Sequence, residues 1–328
     1  MRAVIYAGPG SVAVVDRAVP EIGSGEVLVR NERVGLCGSD LTIIAGRHPR
    51  ASVGQIIGHE SVATVVATGG GVTGLAVGDR VIPEPLLPCG GCVTCLRGAA
   101  HVCEDLRLYG VEEPGALAEF TAYKAEKLHP VRGDVELDVA ALVEPLAVAV
   151  HAMGRVTVTA ADSVAVVGGG PIGALCAMLA RSVAGEVVVA EPNGHRRTML
   201  DRLGLTTVAA LADVEGAVFD VVFECAGVAP AAQAALAHTR VRGTVVLVAL
   251  HKREPVGLDL QDLSRSEKTV TGTRVYSTLD VAHAIRIVES QTVDLSRFPV
   301  AVHRLDRIEE ALREAADGRR ALKTLVLP

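Results

Sequence analysis

A glycine-rich turn between an apolar run and a helix-like run constrains the fold of this 328-residue chain more than any other feature. The apolar run Val164–Val167 is followed by Gly-Gly-Gly-Pro-Ile-Gly at residues 168–173. In such a unit Gly168 permits a tight turn, Gly170 lets backbone amides approach a pyrophosphate, and Gly173 lets the helix pack against the strand. The helix N-terminus also attracts phosphates. The motif therefore predicts a dinucleotide site with contacts at Gly168, Gly170, Pro171, Ile172 and Gly173.

The residues on either side of this turn indicate the fold class. From about residue 151 to 290, strand-like runs such as Glu186–Ala190 and Phe219–Glu224 alternate with helix-like runs, which is typical of a doubly wound parallel sheet. Residues 1–150 instead contain short β-branched runs separated by Gly, Pro and Asp, which predict a β-rich domain. Residues 291–328 contain one more helix-like run and a closing strand. We therefore predict an α/β protein.

The residue after the next strand indicates which dinucleotide binds. Glu191 follows the strand-like run 186–190, where an acidic side chain can accept hydrogen bonds from the adenosine ribose hydroxyls and repel a 2′-phosphate. This favours NAD over NADP. Arg196 keeps the alternative open, because a guanidinium group near this position could stack on the adenine or accommodate a phosphate. A strand-end glutamate without a ligand is the simpler explanation of Glu191.

Composition argues against several classes of function. The net charge of −6 and the lack of a Lys/Arg cluster argue against nucleic-acid binding. No uninterrupted apolar stretch reaches the roughly 18 to 20 residues that a membrane span needs, and the N-terminus does not resemble a signal peptide. Seven cysteines, an uneven number, do not suit a disulfide framework. We expect a cytoplasmic protein with no membrane or nucleic-acid partner.

Four cysteines form the strongest local motif. Residues 88–105 read PCGGCVTCLRGAAHVCED, in which Cys89, Cys92, Cys95 and Cys103 have a C-x2-C-x2-C-x7-C spacing. Four thiolates on a short lobe match a closed structural zinc site, which contributes folding energy rather than chemistry. The alternative is an iron–sulfur cluster, but its short last gap followed by Pro is not found here. The lobe 89–103 is therefore predicted to bind a structural zinc ion.

A more scattered set of residues could hold a second metal ion. Cys37 begins the run CGSD, His59 and Glu60 belong to GHE, and Glu144 begins EPLA. A catalytic zinc ion takes about three protein ligands and keeps one position open, and a thiolate, an imidazole and a carboxylate suit it. Each residue alone has a simpler explanation, as a core cysteine, a surface His-Glu pair or a helix start.

Together, and in this order, the motifs resemble the zinc-containing medium-chain alcohol dehydrogenases, most of all the branch of the sorbitol, butanediol and threonine dehydrogenases. The resemblance covers essentially the whole chain, through CGSD, GHE, the cysteine lobe, EPLAVAVHA, GGGPIG, FECAG and KTLVLP. It implies a GroES-like catalytic domain over 1–150 that includes the lobe, and a Rossmann NAD-binding domain over 151–290. It also implies that 291–328 returns to the catalytic domain.

The resemblance further assigns roles to individual residues. It implies two zinc ions per chain, one structural and one catalytic. The ligands of the catalytic ion would be Cys37, His59 and Glu60, with Glu144 either a fourth ligand or linked through a water molecule. The residues near the nicotinamide would be Cys225, Ala226, Gly227, Val248 and Leu250. By loose alignment, the substrate pocket would be lined by Tyr109, Glu119 and Tyr276.

A proton relay is implied next to the catalytic zinc ion. Ser39 matches the hydroxyl group that passes the substrate's proton toward the nicotinamide ribose. The family often has a histidine at the position of Thr42, and a threonine cannot titrate near neutral pH. His48 is a possible substitute, although an ordinary loop histidine is the simpler explanation. This departure puts only the end of the relay in doubt.

The function implied is hydride transfer between a secondary alcohol, or the matching ketone, and NAD. The substrate could be a polyol, a diol or a hydroxy-amino compound, or alternatively a cyclitol or sugar-derived alcohol of a biosynthetic route. Two other functions on this scaffold stay open: a zinc-free, NADPH-linked quinone or enoyl reductase, and a non-catalytic nucleotide-binding protein. The family also implies homo-oligomers, either dimers or tetramers.

Overall fold

A computed structural model describes residues 1–251 and 255–328 of the chain. The strands are β1 (Arg2–Gly8), β2 (Ser11–Asp16), β3 (Glu26–Gly35), β4 (Glu60–Thr68), β5 (Arg80–Pro83), β6 (Leu86–Leu87), β7 (Arg107–Leu108), β8 (Phe120–Lys124), β9 (Leu128–Pro130), β10 (Ser163–Val167), β11 (Glu186–Ala190), β12 (Thr206–Val208), β13 (Phe219–Glu224), β14 (Thr239–Leu247), β15 (Thr269–Gly272), β16 (Val300–Arg304) and β17 (Lys323–Leu327). The helices are α1 (Gly38–Ile44), α2 (Val93–Leu96), α3 (Leu137–Ala140), α4 (Val143–Met153), α5 (Pro171–Arg181), α6 (Gly194–Arg202), α7 (Ala229–Ala237), α8 (Leu260–Arg265), α9 (Thr278–Ser290) and α10 (Ile308–Asp317).

The chain divides into two compact units. The first contains Met1–Glu144 and Ser277–Pro328, and the second contains Pro145–Tyr276. The helix α9 therefore belongs to the first unit, where the Arg132 backbone N–H donates to Glu289 Oε1 near the end of this helix (2.9 Å). The domain bounds at 150 and 290 stay a prediction.

The second unit is built on a six-stranded parallel sheet. Its strand order is β12-β11-β10-β13-β14-β15, and every pair in it is parallel. The chain leaves β10 in one direction toward β11 and later returns to the other side of β10 with β13. This reversal is the topological switch point at which open α/β sheets bind their ligands, outside the carboxyl ends of the strands. The α/β class and the doubly wound sheet predicted from the sequence are confirmed.

The first unit contains a seven-stranded sheet that the end of the chain completes. β17 pairs antiparallel with β3 and parallel with β16, while β4 pairs antiparallel with both β3 and β5. Residues of α10 and β17 such as Ile308 and Val326 share a buried core with Val4 and Tyr6 of β1. The closing strand β17 therefore lies beside β3, which leads into the CGSD motif and pairs on its other side with β4, where the GHE motif ends.

A buried ionic cluster joins β5 to the segment before β9. Glu84 is 3% exposed, and its two carboxylate oxygens contact Lys127 Nζ (2.8 Å) and His129 Nε2 (3.0 Å). Burial raises the pKa of Glu84, but the hydrogen bonds from His129 and Lys127 outweigh it, so the pKa lies below its ordinary value. The ionised carboxylate is therefore the form that stabilises the fold.

Replacing Glu84 with glutamine is expected to lower the free energy of unfolding at pH 7 by about 3 kcal/mol, because it leaves the Lys127 charge buried without its partner. A carboxyl group whose pKa is lowered by folding stabilises the protein above its unfolded pKa and loses that effect as the pH falls through its folded pKa. The difference between the proteins should therefore shrink below about pH 4.5, the ordinary pKa value. Urea unfolding at several pH values tests this, with the exposed Glu126→Gln as control. A difference that stays constant with pH would contradict it.

Candidate metal centre and cofactor site

Cys37, His59 and Glu60 come together in the first unit. Their ligand atoms all lie within 4.8 Å of one another, and His59 and Glu60 are buried. The pairing of β3 with β4 explains the cluster, because Gly35 lies opposite Glu60 in the antiparallel register. Cys37 directly precedes α1, and His59 directly precedes β4. A thiol, an imidazole and a carboxyl group around one point form the donor set of an open zinc site.

Asp40, on the first turn of α1, orients two of these groups. One carboxylate oxygen of this fully buried side chain accepts from the Cys37 backbone N–H (2.8 Å), and the other lies 3.6 Å from His59 Nδ1. Burial lowers the pKa of His59, but Asp40, together with Cys37 and Glu144, outweighs it and raises this pKa well above its ordinary value. Asp40 therefore places a negative charge beside Nδ1 of the imidazole, on the side away from Nε2, the nitrogen that faces Ser39.

Glu60 is paired with Lys323, a buried lysine at the start of β17. The Lys323 ammonium group forms an ion pair with Glu60 Oε2. Burial lowers the pKa of Lys323, but Glu60 and Cys37 outweigh it and raise this pKa. Gly35 provides the space, since a Cβ atom there would overlap Glu60 Oε2 and lie 2.9 Å from Lys323 Cε. The lysine charge offsets part of the cost of burying the Glu60 carboxylate.

Glu144 lies outside this cluster. It belongs to the first turn of α4 and is 8% exposed, but its carboxylate is not among the atoms that lie within 4.8 Å of one another. It is close enough to contribute electrostatically to the raised pKa values of His59 and Lys323. Of the two predicted carboxylates, Glu60 is therefore the one that directly adjoins Cys37 and His59.

The four cysteines of the lobe also converge. Their sulfur atoms lie within 4.8 Å of one another, and all four are free thiols. The Cys92 backbone N–H donates to Cys89 Sγ (3.4 Å), and the Cys95 N–H donates to Cys92 Sγ (3.4 Å). The Cys89 N–H donates to Cys103 Sγ (3.3 Å). The N–H groups of Glu104 and Cys95 lower the pKa of Cys92 to about 6. Donors of this kind stabilise thiolates, so the lobe fits a closed tetrahedral zinc site.

The glycine turn has the geometry that a dinucleotide requires. Gly168 has a φ of +100°, and a Cβ atom there would lie 2.9 Å from a backbone nitrogen of the loop after β13. A Cβ atom at Gly173 would overlap the carbonyl oxygen of Gly168. Beside Gly170 the space is open within 4 Å, and Pro171 and Ile172 begin α5. The turn is therefore tightly packed on its inner side and accessible at the helix N-terminus, where a pyrophosphate would bind.

Glu191 directly follows β11 and is 4% exposed. Its two carboxylate oxygens accept from the backbone N–H groups of Gly169 and Asn193, at 2.8 Å each. Arg196 Nη1 lies 3.8 Å from Glu191 Oε2, whereas Arg197 donates to the backbone carbonyl of Glu191 (2.7 Å). The carboxylate is therefore held beside the glycine turn, next to one guanidinium group.

The predicted nicotinamide segments directly follow β13 and β14. The side chain of Glu224 accepts from two N–H groups of the first segment, and the backbone carbonyl of Glu224 accepts from Val248 of the second (2.8 Å). Contact with the Cys176 thiol, burial and the charge of Glu224 raise the pKa of Cys225 well above its ordinary value, so it stays a neutral thiol. The two segments contain the predicted residues Cys225, Ala226, Gly227, Val248 and Leu250.

The predicted relay residues Ser39 and Thr42 have different hydrogen-bond partners. Ser39 Oγ lies 3.3 Å from His59 Nε2, inside the metal cluster. The Thr42 hydroxyl donates to the carbonyl of Gly38 (2.9 Å), as hydroxyl groups of helical threonines often do. Burial and the charge of Arg50 lower the pKa of His48. Ser39 is therefore the hydroxyl group nearest to the ligands, while Thr42 is engaged with its own helix.

The three predicted pocket residues are placed as follows. Tyr109 is 7% exposed and packs edge-on against Tyr123, with ring centroids 4.5 Å apart. The carboxylate of Glu119 accepts a hydrogen bond from the backbone N–H of Arg2 (2.8 Å) and forms an ion pair with the Arg2 guanidinium group (3.2 Å). Tyr276 is fully buried. Tyr109 thus has a packing contact and Glu119 an ion pair, and the substrate-pocket role of all three residues stays a prediction.

Sequence reasoning missed four residues that organise the two sites. Three of them lie within motifs that the sequence analysis quoted for other reasons: Asp40 ends CGSD, Glu224 belongs to FECAG, and Lys323 begins KTLVLP. The fourth, His251, lies three residues after Val248 and has no motif of its own. Their partners are distant in the chain, so the motifs alone assign them no role.

Comparison with known proteins agrees with this geometry over the whole chain. Residues 23–133 match the alcohol dehydrogenase GroES-like domain, and residues 171–290 match the zinc-binding dehydrogenase domain. The chain is 38% identical to 2-dehydro-3-deoxy-L-galactonate 5-dehydrogenase of Pseudoalteromonas atlantica, over 99% of this chain and 98% of that protein. It is 31% identical to sorbitol dehydrogenase of Bombyx mori, over 99% and 97%.

A solved structure shows the same fold. A protein from Sinorhizobium meliloti 1021, described as a zinc-binding dehydrogenase and bound to NADP, superposes with a TM-score of 0.93 at 27% identity, over 100% of this chain and 99% of that one. Within the described ranges 1–251 and 255–328, no helix is both long and apolar enough to cross a membrane.

Proposed function

The chain belongs to the zinc-containing medium-chain alcohol dehydrogenases, in the branch of the sorbitol dehydrogenases, and we propose that it transfers a hydride between NAD and a secondary hydroxyl group of a polyol, diol or sugar acid. The observation that carries this proposal is the cluster of Cys37, His59 and Glu60. A zinc-free reductase on this scaffold needs no such donor set, and a non-catalytic protein needs no open metal site beside a closed one.

We assign the catalytic zinc ion to Cys37, His59 and Glu60. A zinc ion held there would supply Lewis-acid polarisation of the substrate's hydroxyl group. Asp40 orients the imidazole of His59 and Lys323 balances the charge of Glu60. We propose that the Ser39 hydroxyl group, 3.3 Å from His59 Nε2, would relay the substrate's proton, donating its own proton toward the nicotinamide ribose as it accepts the substrate's.

The lobe of Cys89, Cys92, Cys95 and Cys103 would hold a second, structural zinc ion. Four thiols within 4.8 Å of one another leave no open position for a substrate. Free thiols throughout the chain also agree with a reducing compartment such as the cytoplasm. We therefore propose two zinc ions per chain and a cytoplasmic enzyme.

The choice of cofactor rests on Glu191. Its buried carboxylate, held by Gly169 and Asn193 beside the glycine turn, supports NAD, because a 2′-phosphate on the adenosine ribose would meet a like charge. Arg196, 3.8 Å away, reduces this repulsion without cancelling it. The relative from Sinorhizobium meliloti binds NADP, so both cofactors need to be measured.

The substrate class rests on the relatives and on the donor set. Sorbitol and 2-dehydro-3-deoxy-L-galactonate, for which two relatives are named, are both chains that carry several secondary hydroxyl groups. We also propose that the enzyme is a homo-oligomer, because β15 leaves one edge of the parallel sheet unpaired within the described residues and an edge strand can pair with a second copy.

The test is the formation of reduced nicotinamide by zinc-replete protein with sorbitol, 2,3-butanediol, an aldonate, 2-propanol and L-threonine, each with NAD and with NADP. We expect turnover of at least one polyhydroxy substrate, with kcat/KM at least about tenfold higher for NAD because of the charge of Glu191. Turnover that survives removal of the metal by a chelator would contradict the zinc mechanism. Turnover of 2-propanol alone would contradict the substrate class.

A further inference from the structure

Buried Glu224 and partly exposed His251 form a hydrogen-bonded pair at the carboxyl edge of the parallel sheet. Glu224 ends β13 and is 0% exposed, and His251 follows β14. Glu224 Oε2 contacts His251 Nε2 at 2.8 Å. Glu224 Oε1 accepts from the backbone N–H groups of Ala226 (2.8 Å) and Gly227 (2.7 Å). Both carboxylate oxygens are therefore occupied by donors of the same unit.

These contacts determine which nitrogen of His251 carries the proton. Glu224 Oε2 acts as an acceptor, so Nε2 of the imidazole must donate to it. In the neutral imidazole the other nitrogen, Nδ1, then has a free lone pair and can only accept. Among the residues that the structure describes, His251 Nδ1 is buried and has no hydrogen-bond partner. A buried acceptor left without a donor costs free energy, so a bound ligand that supplies a donor would be favoured.

The position of the pair indicates which part of a dinucleotide could supply that donor. The loop after Glu224 lies directly against the glycine turn, since a Cβ atom at Gly168 would lie 2.9 Å from the N atom of Ala226. Gly227 lies against the segment before His251, since its Cβ would lie 3.0 Å from the Leu250 carbonyl oxygen. His251 thus lies on the β13 and β14 side of the glycine turn, one residue beyond the segment that Gly227 contacts.

The adenosine end is assigned to the opposite side of the turn. Glu191, the proposed partner of the adenosine ribose, follows β11, and β11 and β13 flank β10 on opposite sides in the sheet. A dinucleotide whose pyrophosphate lies over the turn after β10 therefore extends its other half toward β13 and β14. That half is the nicotinamide nucleoside, whose ribose hydroxyls and carboxamide NH2 are the donors within it.

We propose that His251 is a cofactor-positioning residue that accepts, through Nδ1, a hydrogen bond from the nicotinamide nucleoside of the cofactor, and that Glu224 orients it by holding Nε2. This inference rests on the proposed function, because it requires that the glycine turn binds a nicotinamide dinucleotide. The proposed contact between His251 and the nicotinamide nucleoside involves neither the glycine motif nor the metal cluster.

Binding measurements with two matched variants test the proposal. His251→Gln keeps a side-chain N–H that can reach Glu224 but has no acceptor at the place of Nδ1, whereas His251→Asn keeps an acceptor near that place and gives up the bond to Glu224. NADH affinity is measured by calorimetry and by nicotinamide fluorescence, without substrate. ADP, which lacks the nicotinamide nucleoside, is measured in parallel, and thermal melting checks that each variant is folded.

We expect His251→Gln to weaken NADH binding roughly tenfold, as the loss of one hydrogen bond to a buried group would, with ADP affinity unchanged. His251→Asn should stay closer to the wild type. ADP-ribose distinguishes the two donors: a tenfold loss for ADP-ribose assigns the contact to the ribose hydroxyls, and no loss assigns it to the carboxamide.

Two results would overturn the proposal. The first is wild-type NADH affinity in His251→Gln, and the second is an equal loss of NADH and ADP affinity, which would show a general disturbance of the turn. A wild-type protein that binds neither NADH nor NADPH would instead refute the proposed function, and the inference with it. Binding of NADH by the wild type, together with the first result, would refute the inference alone.

Discussion

Replacing Cys37 with serine is expected to reduce kcat/KM by about a thousandfold or more, because the several kcal/mol of charge stabilisation that a metal ion supplies would be lost at about 1.4 kcal/mol for each factor of ten. Cys37 is the only thiol of the cluster with His59 and Glu60, and a hydroxyl group is a poor zinc ligand at neutral pH. The zinc content should fall from two ions per chain to one. Turnover, zinc content and NADH affinity are measured on the same preparation.

The NADH affinity of Cys37→Ser shows whether the variant has lost only its metal ion or also its fold. It should stay within about twofold of the wild type, since the glycine turn and Glu191 belong to the other compact unit. Glu126→Gln is the control, because Glu126 is an exposed residue of the first unit outside both metal clusters. A Cys37→Ser protein with two zinc ions and normal turnover would refute the assignment of the catalytic centre.

Replacing Cys95 with serine is expected to leave the catalytic zinc ion in place and to open the lobe. Between residues 88 and 105 Cys103 is the only buried residue, so the segment has almost no apolar core of its own. Its one α-helix, α2, has four residues, and the 3-10 helix that follows has three. A structural zinc ion contributes on the order of 10 kcal/mol to the folding of small domains of this kind. Without it, the lobe should unfold locally.

Limited proteolysis measures this opening directly. Arg97 lies in the middle of the lobe, and trypsin should cut after it roughly a hundredfold faster in Cys95→Ser than in the wild type, because cleavage follows the population of the open form. Treating the wild type with a chelator strong enough to remove both ions should have the same effect. Cys37→Ser serves as the control, since it is expected to lose the other zinc ion and to keep the lobe resistant. Equal cleavage rates in the wild type, Cys95→Ser and Cys37→Ser would show that the lobe needs no metal.

Cys37→Ser and Cys95→Ser are expected to differ in turnover and in resistance to trypsin if the two zinc sites have the proposed roles. Cys37→Ser should lose turnover and keep a closed lobe, whereas Cys95→Ser should keep one zinc ion at the cluster of Cys37 and lose the resistance of residues 88–105. A single metal site, or two sites with the same role, would not produce this separation.

Features that depend on neighbouring residues were predictable from the sequence. The glycine turn, the strand before it and the helix after it lie within one short segment, and the constraints on Gly168 and Gly173 are local backbone constraints. The four lobe cysteines span fifteen positions, from 89 to 103, so their spacing alone brings the sulfur atoms together. The alternation of strands and helices likewise predicted the parallel sheet.

Features that depend on strand register were not predictable in the same way. The sequence left open whether Glu60 or Glu144 adjoins Cys37 and His59, and the pairing of Gly35 with Glu60 across β3 and β4 decides the geometry. Lys323 reaches Glu60 because β17 pairs with β3. A shift of one residue in either pairing would turn these side chains to the opposite face of the sheet.

The direction in which a side chain points was likewise not predictable from the sequence. Alignment gave no contacts for Tyr109 and Glu119, whereas the structure packs the first in the core and pairs the second with Arg2. His251 shows the reverse case, a residue without a motif that faces a buried carboxylate. In each of these cases the partner lies on another element of the fold.

The sequence by itself determined the family, the two-part organisation, the lobe of four cysteines and the dinucleotide turn, because each follows from local spacing or from the order of motifs along the chain. Only the tertiary structure decided which carboxylate completes the group of Cys37 and His59, that Lys323 balances it, and that Glu224 holds His251. The physical reason is that these contacts join residues distant in the chain, so they depend on strand register, side-chain direction and burial, which a local pattern does not specify.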